Sequence, residues 1–341
     1  MKLKSMKHAV FYLTVVLILF SCGNRNIGTP TGIVVVPDVD AKINYGHDFK
    51  INTYLTYSSG ERREVNSRDV EYVVKGGTVH DGNIITLKCC PTSLQDDTVY
   101  VTARYEKKDL NFETSKAIPF NYKGDLEINL IGAKGEKGPD GGDGGTALLF
   151  RHGKDGDDGG PGNPGENGHD LSVHIYKDEA TGLYYIRVMD ITTSKIYYYK
   201  NKDTGYPVKF NVIGGEGGDG GDGGDGGDGK DGFKNEKKEK DAGAGGDGGN
   251  GGNGGVGGNG GTVYVFIHPN ADGIQKRLTA YNIGGSGGEG GKAGKAGKAG
   301  DPLEGEEAPE DGVPGVPGNP GLIGNPGQPI QISVEDFDID F

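Results

Sequence analysis

The sequence predicts an all-β chain: a first β-sandwich of about a hundred residues, then a β-sandwich base carrying six polyglycine-II helices arranged as three hairpins. Three observations predict it. Residues 31–123 fall into short β-branched and aromatic stretches that often alternate. Between Gly132 and Gly327 the glycines fall into six runs that each keep a three-residue step. The segments flanking those runs are strand-like and resemble one another. The boundaries that follow are 1–21 for an export signal, 22–30 for a linker, 31–123 for the first sandwich and 124–341 for the glycine-rich part. With 67 glycines, no tryptophan and a net charge of −13, the chain lacks the basic surface that nucleic acid requires. Its three cysteines, Cys22, Cys89 and Cys90, make neither a disulfide scaffold nor a cysteine-rich zinc site.

"MKLKSMKH" is basic and "AVFYLTVVLILF" is apolar over the length of a signal-peptide core, too short to span a bilayer comfortably. "LFSC" follows, with Ser21 just before Cys22. This stretch resembles a bacterial lipobox. The resemblance implies cleavage before Cys22, lipidation of its thiol, and a membrane partner held through the lipid. No aspartate follows Cys22, and no acidic cluster. The expectation is an outer-membrane lipoprotein of a Gram-negative bacterium, of the Bacteroidota, facing the cell surface in preference to the periplasm.

In the first sandwich, "TGIVVVP", "DFKINTYLTY", "DVEYVV", "NIITLKC" and "DTVYVTARYE" read as strands, and "SSGERR" and "VHDGN" as turns. The opening strand ending in "VVP", the polar turn and the late "VYVTARY" strand resemble bacterial immunoglobulin-like domains. In that family such domains are spacers that lift a functional tip from the membrane. Cys89 and Cys90, adjacent on a strand, are expected to point to opposite faces. They read as buried free thiols, with a strained vicinal disulfide as the alternative.

The glycine runs are 132–144, 153–168, 214–232, 245–260, 285–300 and 312–327. Glycine in a helix costs about 1 kcal/mol per residue against alanine, and these runs offer a strand no side chains to pack. A three-residue step matches a polyproline-II type of helix, with a rise of about 3.1 Å per residue. Glycine faces let such helices approach and hydrogen-bond to one another. Collagen shares the step but needs three chains in register; these runs are short and interrupted, so a single-chain bundle is favoured. Each run leaves an outgoing strand ("LEINLIG", "VKFNVIGG", "LTAYNIGG") or enters a returning one ("HDLSVHIYKD", "GTVYVFIHPN", "QPIQISVED"). Leu171/Val173/Ile175, Val263/Val265/Ile267 and Ile330/Ile332/Val334 alternate as half-buried strands do. "GLYYIRVMDITTSKIYYYKNKDTG" adds a hairpin. The exits "NVIGGEGG" and "NIGGSGGEGG" and the return "GGNGGTVYVF" resemble glycine-rich domains of phage tail-tip adhesins and of the anaplastic lymphoma kinase receptor family. That resemblance implies a bundle acting as a scaffold, with binding carried by its loops or faces.

Three tips interrupt the runs: "TALLFRH", "FKNEKKEK" and "PLEGEEAPED". Leu148, Leu149, Phe150 and Phe233 are candidate apolar anchors for a protein or glycan partner, with Arg151, Lys237 and Lys238 as charged neighbours. The other reading has the tips folding back to cap the bundle or simply solvated. Asp219, Asp222, Asp225 and Asp228 form a ridge with a pitch of about 9 Å, matched by Lys292, Lys295 and Lys298. The match predicts a ladder of ion pairs that fixes register. One such ridge is too widely spaced to ligate calcium. "GEGGDG" follows a strand, but no helix former follows it. No catalytic residues, metal site or cofactor are expected. The function expected is a non-catalytic binding or scaffold module, an accessory of a surface nutrient-uptake or adhesion complex, present as a monomer or within a larger envelope complex. The alternative is a purely structural collagen-like stalk, trimeric in form.

Overall fold

The computed structural model describes residues 27–146, 152–236 and 238–338. The described residues are all-β, with 34% of them in strands and 3% helical.

The first part holds eight strands: β1 (Pro30–Pro37), β2 (Asp48–Tyr57), β3 (Arg62–Glu64), β4 (Val70–Lys75), β5 (Gly77–His80), β6 (Ile84–Leu87), β7 (Thr98–Lys107) and β8 (Leu110–Pro119). One sheet runs β1-β2-β6-β5, with β3 paired to β2, and a second runs β4-β7-β8. The alternation sets the packing. Val35, Phe49, Ile51, Ile85 and Leu87 from the first sheet meet Val99, Val101, Ala103 and Ile118 from the second in one buried cluster. The turn between β5 and β6 uses Asp81 and Gly82, both at positive φ (47° and 83°), a conformation these residue types tolerate. Strands β3, β5 and β8 were not among the expected five. In β8 the residues between Leu110, Phe112 and Ile118 are mostly polar, which hides the alternation.

The second part is built by repetition. The outgoing strands β9 (Leu126–Asn129), β13 (Val208–Asn211) and β17 (Leu278–Tyr281) form a parallel sheet in the order β17-β13-β9. Equivalent positions align across it, Leu126 with Val208 with Leu278. The returning strands β10 (Leu171–Lys177), β16 (Val263–Ile267) and β18 (Gln331–Val334) are also parallel. The hairpin β11 (Leu183–Asp190) and β12 (Lys195–Lys202) extends them to a sheet β12-β11-β10-β16-β18. Both sheets contribute to one core, including Leu126, Ile128, Phe210, Val173, Ile175, Ile186 and Val265. Three strands cannot cover five. At the uncovered edge Ile332 and Val334 are 40% and 51% exposed, so the half-burial expected there is lost.

The two parts meet at buried aromatic contacts. Tyr45 packs edge-on to Phe120 and to Tyr199 of β12, at centroid distances of 5.1 and 5.5 Å. Lys200 Nζ donates to Gln95 O and Asp97 Oδ2, and Tyr45 Oη donates to Asp97 Oδ1. Tyr198 N donates to Pro91 O at 3.1 Å.

Candidate functional site

The glycine runs, numbered 1 to 6 in chain order, carry no helix or strand assignment. They are nevertheless hydrogen-bonded throughout, and one triplet of run 3 shows the rule. Gly220 N donates to Glu289 O of run 5, Gly221 N to Gly160 O of run 2, and Asp222 N to Asp140 Oδ1 of run 1, each at 2.8 Å. Three successive N–H groups thus reach three neighbours. Run 4 repeats it: Gly248 N reaches Val313 O, Gly249 N reaches Gly224 O, and Asn250 N reaches Asp158 Oδ1. Runs 1, 3 and 5 form one layer and runs 2, 4 and 6 the other, each run staggered against the next. Runs 3 and 4 have four neighbours each; runs 1 and 6, at the margins, have two.

Side chains are excluded where runs touch. A Cβ on Gly220 would lie 1.9 Å from Gly252 O, and one on Gly221 would lie 1.9 Å from Pro139 O. The third position of the triplet faces the outer surface of its layer, and there the aspartates and asparagines sit. Their role differs from the expected ladder. Asp219, Asp222, Asp225 and Asp228 accept through Oδ1 from the backbone N–H of Glu289, Lys292, Lys295 and Lys298, at 2.8–2.9 Å. Among the described residues, Lys295 Nζ alone of the three lysines reaches its acid, Asp225 Oδ2, at 3.4 Å. The pitch and pairing of the two ridges hold, but the bond runs from carboxylate to backbone, because that N–H has no backbone acceptor within its layer. The same capping links run 2 to run 4 through Asp155, Asp158 and Asn167, and run 4 to run 6 through Asp247, Asn250, Asn253 and Asn259. The pattern was visible as GGD and GGN triplets. Its meaning depends on which run lies beside which.

Runs 1, 3 and 5 are parallel, so their far ends lie together away from the sheets, with the second and third tips beyond runs 3 and 5. They are staggered. The last bond of run 1 to run 3 is Gly144 N to Asp225 O, whereas run 3 continues to Gly232 N bonded to Asp301 O. Cys22, Leu148, Leu149, Phe150, Arg151 and Lys237 lie outside the described residues. Phe233 and Lys238 fall in a two-stranded hairpin at the second tip, β14 (Phe233–Asn235) and β15 (Lys238–Lys240), in which every described residue is exposed. Phe233 is 53% exposed. Lys234 Nζ donates to Glu239 Oε1 at 2.6 Å; that bond raises the Lys234 pKa, with Glu306 of the third tip adding to it. Leu303 of the third tip sits against the end of run 3, where a Cβ on Gly232 would be 3.0 Å from its Cγ. The basic and the acidic tip therefore adjoin each other.

Cys89 and Cys90 depart from expectation. Strand β6 ends at Leu87, and the two cysteines lie in a bend immediately before Pro91, whose ring disfavours a helical turn just before it. The bend replaces strand alternation, so the thiols face one another, Sγ to Sγ, at 3.3 Å. Cys89 is exposed and Cys90 half-buried. Burial, then Cys89, push the Cys90 thiol up to about 11, with Tyr199 and Asn129 also beside it.

At the foot of run 2, buried Asp190 accepts from His169 Nδ1 at 2.7 Å and from the backbone of Thr192 and Thr193. Burial opposes its charge, but the hydrogen bonds from Thr193 and His169 prevail and its pKa is lowered. Among the described residues no three His, Cys, Asp or Glu side chains are grouped so as to hold a metal ion. Comparisons with protein families, with curated proteins and with solved structures find no match to this chain.

Proposed function

We propose that this chain is a lipid-anchored cell-envelope binding or scaffold module, in which an immunoglobulin-like spacer carries a polyglycine-II bundle that presents tip loops to a protein or glycan partner. The observation that carries the reading is the continuous bonding of runs 1 to 6, which gathers the far ends of runs 1, 3 and 5 at one end of a laterally bonded slab. A three-residue step shared by donors and acceptors is what polyglycine-II geometry requires. The strand orders β1-β2-β6-β5 and β4-β7-β8 correspond to the four- and three-stranded faces of a constant-type immunoglobulin sandwich, which supports the spacer assignment. The anchor is Cys22, and the surface is the favoured destination.

The collagen-like trimer is the weaker reading. Every run finds its partners within its own chain, so no second chain is needed to satisfy it.

Two experiments test the proposal. Metabolic labelling with an alkyne fatty acid should mark the wild type and not Cys22→Ser; equal labelling would refute the anchor. Protease treatment of intact cells should cut within the tips and leave residues 153–232 as a resistant fragment. A chain cleaved only after the outer membrane is permeabilised would refute surface display, and cleavage throughout the runs would refute the bundle.

A further inference from the structure

We propose that Cys89 and Cys90 are a redox-active vicinal pair that closes to a disulfide by exchange with a small-molecule or protein disulfide. Three observations converge on it. The thiols face each other at 3.3 Å, so closure needs a sulfur movement of little more than 1 Å to reach a disulfide bond length of about 2.05 Å. Cys89 lies on the wall of an open cavity of about 710 Å³, which gives a second molecule access to it. The same cavity is lined by Lys75 and Lys88, with Leu94 and Tyr100 as apolar wall, and Lys75 Nζ lies 5.7 Å from the centroid of the Tyr100 ring. Two lysines against the single carboxylate of Asp96 in the same lining leave a basic excess that suits a disulfide carrying carboxylates, as glutathione disulfide does.

The two sulfurs have different parts. Cys89 is the exposed one and attacks. Its thiolate displaces one thiolate from the incoming disulfide and forms a mixed disulfide at Cys89. Cys90, against Tyr199 and half-buried, then attacks Cys89 Sγ. Its proton passes to solvent or to the departing thiolate, and the second thiol leaves. The balance is two cysteine thiols oxidised by two electrons, and one disulfide reduced to two thiols. The pair's position gives its state a route outward, because Cys90 adjoins Tyr199, which packs on Tyr45 where the two parts of the chain join.

The test uses the full chain, reduced and then exposed to glutathione disulfide, quenched with N-ethylmaleimide and digested with trypsin. The informative peptide spans 89–104, since Lys88 and Arg104 bound it. The expected wild-type product is two hydrogens lighter than the dithiol peptide, without maleimide or glutathione. Cys90→Ser should accumulate a stable glutathione adduct on Cys89, because the resolving thiol is gone. Wild-type peptide that keeps glutathione, or that carries two maleimides after exposure to excess oxidant, would overturn the proposal. If Cys90→Ser fails to fold, Cys89→Ser supplies the second reading. With its exposed thiol removed it should take up glutathione far more slowly than wild type loses its thiols, and an equal rate would overturn the assignment of Cys89 as the attacking group.

Discussion

A single triplet of run 3 contains most of the chemistry of this chain: two positions that exclude a side chain and one that requires a short acceptor. Both requirements can be tested separately. Gly221→Ala forces a Cβ to within 1.9 Å of a backbone oxygen. Overpacking of that kind costs about 1–3 kcal/mol, so the midpoint of thermal unfolding, followed by circular dichroism, should fall. Gly145→Ala meets nothing within 4 Å and should leave the midpoint nearly unchanged. If the two variants melt alike, the runs are not packed as described. The acceptor is tested by Asp219, Asp222 and Asp228. Changed together to Asn they keep an oxygen for the backbone N–H of Glu289, Lys292 and Lys298. Changed to Ala they leave those groups to water, at about 0.5–1.5 kcal/mol per bond. Caps predict that the Asn variant melts like wild type and the Ala variant lower. An ion-pair ladder predicts that both fall equally. Sequence alone displayed the ridge and its matching pitch but assigned the wrong bond, because the acceptor's partner lies 70 residues away along the chain.

Among the elements, the runs and their flanking strands were legible because each repeats a local signal, a glycine phase or an apolar alternation. The order of the runs was not, since adjacency is decided by how the sheets stack their parallel strands. Cys89 and Cys90 were misread for a related reason: strand periodicity was carried past Leu87 into a bend that Pro91 terminates. Run 6 shows what position within the bundle demands. Gly312 N bonds to run 5 and Val313 N to Asp247 of run 4, which leaves the third position of the triplet facing no neighbour. Pro314, Pro317, Pro320 and Pro326 occupy that position and have no N–H to leave unpaired. At the opposite margin, the carbonyl oxygens of Lys134, Lys137 and Asp140 in run 1 accept no backbone bond among the described residues. Donors on one edge and acceptors on the other would permit head-to-tail growth, as exposed strand edges do. The prolines remove all of these donors but that of Ile323. The variant with Pro314, Pro317 and Pro320 changed to Ala is therefore expected to associate with increasing concentration in sedimentation velocity, while the wild type stays a monomer. A variant that remains monomeric at every concentration would show that the prolines do not guard this edge.

For the whole molecule, the dispersed carboxylates act together through pH. Asp140 is held below the usual carboxylate value of 3.8 first by Lys137 and then by the backbone N–H of Asp222, and Asp225 first by the backbone N–H of Lys295. Asp190, buried at the foot of run 2, is lowered against its burial by Thr193 and His169. Each folded-state pKa lies below its unfolded value, so the unfolded chain takes up these protons first as pH falls. The stability these groups contribute is fully present above 3.8 and is lost as pH drops through their folded values. Bundle and base should therefore weaken together below about pH 4, with no comparable loss between pH 5 and 7 from these carboxylates. The buried group allows the contribution to be separated. Asp190→Asn removes a charge that accepts from His169 and two backbone N–H groups, at a cost of about 1–3 kcal/mol near neutrality. It should also flatten the decline in thermal midpoint between pH 5 and 3, since the titrating group is absent. A variant whose decline stays as steep as that of wild type would place the acid sensitivity in the surface caps rather than at the root of run 2.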